Sequence, residues 1–322
     1  MKPISSNMMT LYADLLQRTG LQSIKPGSIS TKTVDGKKYL YAIEKDGKAR
    51  VCRFLGPAES AAAQDEARLI RRAEIEAKEM RTTVAALKRA RIPAPTVELG
   101  RVLEAIANAG LFRMGMVLVG TAAFGLYPCV VGAYLSTAAM TTQDVDLSVA
   151  SFSAGTETRD FEAILKRADP TFEPHWNVED KLPRTFRAAN GFTVDLVTRY
   201  GRGRKSPVPI GNLACSAAAL SFQEYLVEEA IEVVALYGRG VLVKVPSPFR
   251  YAVHKLIVMQ RRKRFDPKKQ KDLMQAQDLI DIFMANDEAA LRDALAEARK
   301  RGRAWKTAIE ASLKDIGRDR RA

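Results

Sequence analysis

From Met114 to Gln143 the chain carries no charged residue, and it leaves that run on Asp144-Val145-Asp146-Leu147. A stretch this long and apolar has two physical outcomes, a membrane span or a buried strand–helix unit. Gly115, Gly120, Gly125 and Gly132, a central Pro128, and the polar residues Ser136-Thr137 and Thr141-Thr142-Gln143 argue against a span. So does the exit, which is acidic where a stop signal would be basic. The expectation is a buried unit and no membrane partner, with the apolar strand Met116–Val119 passing directly into Gly120-Thr121 and a helix.

The remaining pattern places elements around that unit. Met8 to Gln17 reads as a short helix. Tyr39–Ile43 and Arg50–Leu55 are β-rich runs joined through Lys45-Asp46-Gly47-Lys48, and Asp-Gly between such runs predicts a hairpin. Pro57 then opens a stretch from Ala58 to about Arg91 with no Gly or Pro inside it, a long helix stopped by Pro93 and Pro95. Its apolar positions are sparse, so much of it should face solvent or a partner. Thr96 caps a helix with Leu99, Val102, Leu103 and Ile106 on one face, closed by Gly110. A strand around Val145–Val149, a helix near Asp160–Arg167, and strands near 183–188 and 191–197 around an Asn190-Gly191 turn complete a small mixed sheet. After a basic link, Arg199 to Pro209, the pattern is largely helical. One further strand is expected near Val241–Val245, with helices from Arg250, Lys268 and Asp287. The fold class is mixed α+β, divided into an N-terminal hairpin and long helix (1–95), a central sheet domain (96–205) and a mainly helical C-terminal domain (206–322).

Asp144 and Asp146 alternate onto one face of their strand, while Val145 and Leu147 turn into the core. Two carboxylates on one face repel unless a cation lies between them. Mg2+, which takes oxygens from one or two carboxylates plus substrate phosphates, suits that position. A solvated strand edge is the competing account. Gly120 lets a phosphate approach the backbone, and the Thr121 hydroxyl and following amides could bind it; a tight structural turn would look the same. Asp195 is a single acid in the apolar run Gly191–Val197, where it needs either a metal or an ion pair with Arg184, Arg187 or Arg199. Lys255 is a candidate for phosphate neutralisation or a surface lysine, and His254 is expected to pack rather than react. Arg261, Arg262, Lys268 and Lys271, from a run that also holds Lys263, Arg264 and Lys269, are acceptor or nucleic-acid contacts or else a solvated loop. Only Phe265 interleaves them. Asp272 is read as a structural partner of Lys271.

The charge balance favours polyanionic partners, with 51 Lys and Arg against 37 acidic residues and a formal charge of +14. Three cysteines without a CxxC pair exclude a disulfide framework and a cysteine zinc site, and two histidines exclude a His-rich metal site. The opening Met-Lys-Pro-Ile-Ser-Ser-Asn lacks the apolar run of a signal peptide, so a cytoplasmic location is expected.

An apolar strand ending in Gly120-Thr121, Asp144-x-Asp146 on the next strand and Asp195 on a later one resembles the DNA polymerase β-like nucleotidyltransferase superfamily. Val245–Leu256, Lys271–Ala276, Phe54-Leu55-Gly56-Pro57 and Gly120-Thr-Ala-Ala-Phe124 are similar to a bacterial family of predicted nucleotidyltransferases. The likeness spans about residues 35–285. Thr121 stands where the superfamily carries a second Gly or Ser, and the interval from Gly120 to Asp144 is longer than usual.

The resemblance implies an enzyme that moves an NMP group from a nucleoside triphosphate such as ATP to an acceptor hydroxyl. Asp144, Asp146 and Asp195 would hold two Mg2+ ions, replaceable by Mn2+, and Gly120 and Thr121 would meet the phosphates. RNA, tRNA in particular, is the favoured acceptor. A protein side chain, a small molecule, or a toxin role with a small antitoxin-type protein partner are the other options. The alternative class is a non-catalytic nucleic-acid-binding protein on a degenerate nucleotidyltransferase scaffold.

Overall fold

The computed structural model describes residues 2–22, 24–46, 49–136, 143–152, 159–176, 180–201, 207–263 and 265–317. It opens with helix α1 (Ser6–Leu21) and an antiparallel meander of β1 (Gly27–Val34), β2 (Lys37–Asp46) and β3 (Ala49–Pro57). The expected hairpin is β2–β3. β1 widens it through a two-residue turn at Asp35 (φ 50) and Gly36 (φ 74), a second Asp-Gly signal with both residues left-handed. Ile29, Leu40 and Leu55 face the long helix α2 (Ala61–Arg89), which meets them with Ala63 and Ala67.

Helix α2 buries one stripe, Ala63, Ala67, Ile70, Ala73, Ala77, Met80, Val84 and Leu87, at three- and four-residue spacing, and solvates most of its other positions. Its first half lies on the meander. Its second half, through Met80, Val84 and Leu87, packs with Tyr12 and Leu15 of α1 and with Cys129 and Val234 of the main body.

The main body begins at α3 (Val97–Asn108), capped where Thr96 Oγ1 accepts from Leu99 N at 3.3 Å. Then come β4 (Val117–Val119), α4 (Gly120–Phe124), α5 (Pro128–Val131), β5 (Asp144–Ser148), α6 (Phe161–Ala168), β6 (Glu173–His175), β7 (Thr185–Arg187), β8 (Thr193–Arg199), β9 (Val208–Ile210) and β10 (Cys215–Leu220). The described part of the uncharged stretch is thus a buried strand followed by short helices, residues 137–142 lying outside the described residues, and no described helix is long and apolar enough to cross a membrane.

These strands form one seven-stranded sheet in the order β4-β5-β8-β10-β9, with β7 also on β8 and β6 on β7. β5 and β8 are parallel, and β4 is antiparallel to β5. β8 divides its second edge: Thr193 to Asp195 pair with β7, and Val197 to Arg199 with β10.

α7 (Gln223–Val227) and the hairpin of β11 (Ala230–Ala235) and β12 (Val241–Pro246) lead to α8 (Pro248–Arg261), α9 (Pro267–Asn286), α10 (Glu288–Lys300) and α11 (Arg303–Asp315). The helical region follows the expected starts, but β9, β10 and β11 precede it in a stretch that reads as link and helix. The Cys-Ser-Ala-Ala-Ala-Leu of β10 has no β-propensity of its own; it is a strand because β8 offers it an open edge. α8 packs against α7, α9, α10 and α11, which leaves Tyr251 to Ile257 buried on every side. One continuous core runs from Leu99 to Leu313.

Candidate active site

The register of three strands builds the site. Asp146 on β5 is the Cα partner of Asp195 on β8, and Asp195 is the partner of Thr185 on β7, so all three side chains share one face of the sheet. Asp144, two residues before Asp146, shares that face and is partnered by Thr193. Thr185 Oγ1 donates to Asp195 Oδ1 at 2.5 Å, and Thr193 Oγ1 donates to Asp144 Oδ1 at 2.9 Å. Each hydroxyl fixes one carboxylate oxygen. Two of the three arginines that could have taken Asp195 are engaged elsewhere: Arg184 with Asp180, and Arg199 with Glu224.

Gly120 closes one side. Val119 pairs with Asp146, so the chain turns into α4 beside the Asp146 carboxylate. A Cβ on Gly120 would lie 2.5 Å from Asp146 Oδ2, and its φ of +68 is left-handed, so two independent constraints require glycine. Tyr251 of α8 donates its hydroxyl to the Gly120 carbonyl at 3.0 Å, bolting the buried helix to the turn. The same hydroxyl lies 3.0 Å from the Gln275 side-chain amide, whose Nε2 otherwise lacks a partner. A hydroxyl has one hydrogen to give, so the Gly120 carbonyl and Gln275 Oε1 share it. Thr121 follows half-buried in α4, a helix of only five residues.

The electrostatics are those of an acidic pair short of positive charge. Burial is the main cause that pushes the Asp146 carboxyl up to about 6; Asp195 adds to it, Lys255 and Lys268 oppose it, and Asp144 adds a little more. Lys271 is lowered, by burial first and then by Lys255, with Asp272 and Asp144 acting the other way and Lys268 adding to the lowering. Lys255 of α8 and Lys268 of α9 thus act on Asp146 by their charge, and Asp144 acts on Lys271 of α9.

The other expected contacts divide. Lys255 is buried, with Nζ 2.5 Å from Asp272 Oδ1 and 5.2 Å above the Tyr251 ring. Arg262 pairs with the other oxygen of Asp272 and with Asp266, tying the end of α8 to α9. Arg261 lies over the Phe222 ring at 5.5 Å, among side chains that lead to Trp305 rather than to the aspartates. Arg264 lies outside the described residues. Asp272 is a functional neighbour that sequence reasoning misassigned: it partners Lys255 and Arg262, one turn and more away on another helix, rather than Lys271 beside it. Its helical phase within α9, facing inward where Lys271 is half-buried, was the available signal. His254 is buried with neither ring nitrogen partnered, and burial drives its pKa down to about 3.

The donor set suits a hard divalent cation. Asp146 and Asp195 stand in register on adjacent strands with their repulsion incompletely offset, and Mg2+ binds through one or two carboxylates when phosphate oxygens complete its shell. Among the described residues, no three acidic, histidine or cysteine side chains converge closely enough to hold a metal by themselves. A groove of about 640 Å3 between α1 and α2, lined by Leu21, Ile24, Leu69 and Ile75, shares no residue with this site.

A family model described as a nucleotidyltransferase matches residues 97–300, a span that contains the three aspartates, Gly120 and all of α8 and α9. The chain is also similar to the crystal structure of an antigenic nucleotidyltransferase-like protein from Paracoccidioides brasiliensis, at 18% identity and a TM-score of 0.35, over 68% of this chain and 95% of that one. Among curated proteins, none matches this chain.

Proposed function

This chain belongs to the nucleotidyltransferase family, and on that premise we propose that it moves an NMP group from a nucleoside triphosphate to the hydroxyl of an RNA acceptor in a Mg2+-dependent reaction. The observation that carries this reading is the register of Asp146 beside Asp195, with Gly120 against Asp146 and the charges of Lys255 and Lys268 acting on it. Asp146 and Asp195, joined by Asp144, would hold Mg2+, which supplies charge neutralisation at the phosphates and lowers the pKa of the attacking hydroxyl.

The chain's own groups do the rest. Thr185 and Thr193 orient the Asp195 and Asp144 carboxylates. The bare Cα of Gly120 leaves room beside Asp146, and Tyr251 holds that turn in place. Lys268 and Lys271 meet the triphosphate, whose charge they neutralise, and Lys255, held by Asp272, adds to the same field from behind. Arg261 and Arg262 have no part in this reading. The basic surface favours RNA, tRNA in particular, as acceptor.

The test is incubation with each α-labelled triphosphate, total RNA and total protein, with and without Mg2+. Label is expected in the RNA fraction, only with the metal, and not with Asp146→Asn. Label in the protein fraction moves the acceptor to protein. No transfer to either, from a folded wild type with Mg2+, sinks the proposal.

A further inference from the structure

The meander β1–β3 has two faces, and α2 covers only one. Ile29, Leu40 and Leu55 pack under the helix, and Arg53 on that side bonds to Glu44 and to Glu66 of α2. The register sends Tyr39, Tyr41 and Phe54 to the opposite face, where Tyr41 and Phe54 are direct cross-strand partners. Phe54 is 55% exposed, which is unusual for a phenylalanine in the middle of an ordered strand. Its ring centroid lies 5.9 Å from that of Tyr39 and 5.4 Å from that of Tyr41, at interplanar angles of 46° and 62°. The rings are neighbours, yet they do not consume one another's flat faces.

Charge on this face has one sign. Lys32, the Cα partner of Tyr39, reaches over the Tyr41 ring at 4.8 Å, and Lys37 and Arg50 project to the same side from β2 and β3. The carboxylate that β2 could have offered, Glu44, turns inward to Arg53. Ser30, opposite Tyr41, adds a hydroxyl able to bond a ribose. Aromatic rings on an exposed sheet, ringed by cations, are what unpaired bases and their phosphates need from a protein surface. The basic run on α8 and α9 lacks those rings, with Phe265 alone among its cations.

We propose that this outward face of the N-terminal sheet is a stacking platform for single-stranded RNA. Binding there involves neither the aspartates nor a nucleotide, so it stands whether or not the transfer reaction does.

The experiment is fluorescence anisotropy of a labelled 12-nucleotide single-stranded RNA with the full chain, without triphosphate or metal. Phe54→Ala and Tyr41→Ala should each weaken binding about tenfold, and far-UV circular dichroism should match wild type because neither ring is in the core. Lys32→Gln with Arg50→Gln should lower the slope of log affinity against log salt by about 1.4; this pair answers the question even if a ring variant misfolds. Asp146→Asn should bind RNA as wild type does, which separates this claim from the catalytic one. Folded ring variants that bind like wild type, or a wild type that binds DNA or an RNA duplex more tightly than the single strand, would overturn the platform. So would self-association that the ring substitutions abolish without any RNA binding by wild type.

Discussion

Two regions of this molecule bring charge into the interior, and they do it in opposite ways. Arg250, at the start of α8, has a side chain only 6% exposed and pairs with Glu228 at 3.1 Å, Glu229 at 2.8 Å and Glu297 at 3.1 Å. Its guanidinium also lies 4.7 Å over the Tyr225 ring, and these partners, Glu229 first, hold its pKa well above the ordinary value. Asp146 has the reverse environment. The side chain beside it on the next strand is another carboxylate, and its cations act through space rather than through a direct pair. The fold completes the first cluster and leaves the second incomplete. An acidic pair that the protein does not itself neutralise suits a cation, whereas an arginine ion-paired to three carboxylates is architecture.

The sharpest way to break that contrast is to neutralise the acidic pair. Asp146→Asn or Asp195→Asn should lower transfer at least about a thousandfold, measured by label transfer, without lowering the thermal midpoint, because a like-charge repulsion is removed with the charge. Transfer within tenfold of wild type would make the aspartates no different in kind from the Arg250 cluster. Gly120→Ala tests the same site sterically. Its Cβ meets Asp146 Oδ2, and its φ of +68 strains any other residue. A shift of the carboxylate on the scale of an ångström should cost about a hundredfold in turnover. An unchanged rate in single-turnover assays would show that Asp146 has slack the structure does not suggest.

How much of this was readable in advance follows from which facts are local. The Asp144/Asp146 alternation, the glycine after an apolar strand, the cap at Thr96 and the helix near Asp160 are short-range signals, and the structure has those elements. The strand pairings are not local. That Asp146 faces Asp195, and that Thr185 reaches Asp195 from β7, depends on β8 dividing its edge between two strands. Nothing in the seven residues of β8 states that division. β10 was missed for the same reason: an alanine-rich run takes its conformation from the strand edge it meets. Missing β1 was a different error, since Asp35-Gly36 carries the same turn chemistry that identified β2–β3. Asp272 was legible only as a charge next to Lys271. Its pairing with Lys255 and Arg262 needs two helices side by side.

The completed cluster predicts a change in stability with no change in chemistry. Arg250→Ala removes three ion pairs and the stack on Tyr225, but Glu228, Glu229 and Glu297 are 47%, 65% and 41% exposed and can resolvate. The loss should therefore fall below the range for a broken buried pair, at about 2 kcal/mol in urea unfolding. Transfer per folded molecule should match wild type. A parallel loss of activity would mean that the two clusters communicate along α8, and the comparison would then be between two parts of one site.

His254 offers the finest test, because it lies on α8 between Arg250 and Lys255 and is neither partnered nor part of the acidic pair. Both ring nitrogens are buried without a hydrogen-bond partner, and burial, reinforced by Lys255 and Arg262 against Asp272, holds its pKa near 3 from an ordinary 6.5. Between those values the unfolded chain takes up a proton that the native state refuses, so stability falls as pH falls from 6.5 toward 3. His254→Leu removes both the orphaned polar atoms and this acid limb. At pH 7 the variant should be more stable by about 1 kcal/mol, and its advantage should widen by about 2 kcal/mol between pH 7 and pH 5. Denaturant midpoints at the two pH values measure both numbers. If wild type and variant instead track each other with pH, His254 is protonated inside the fold, and it must then have a directly paired partner of opposite charge, as Arg250 has and Asp146 does not.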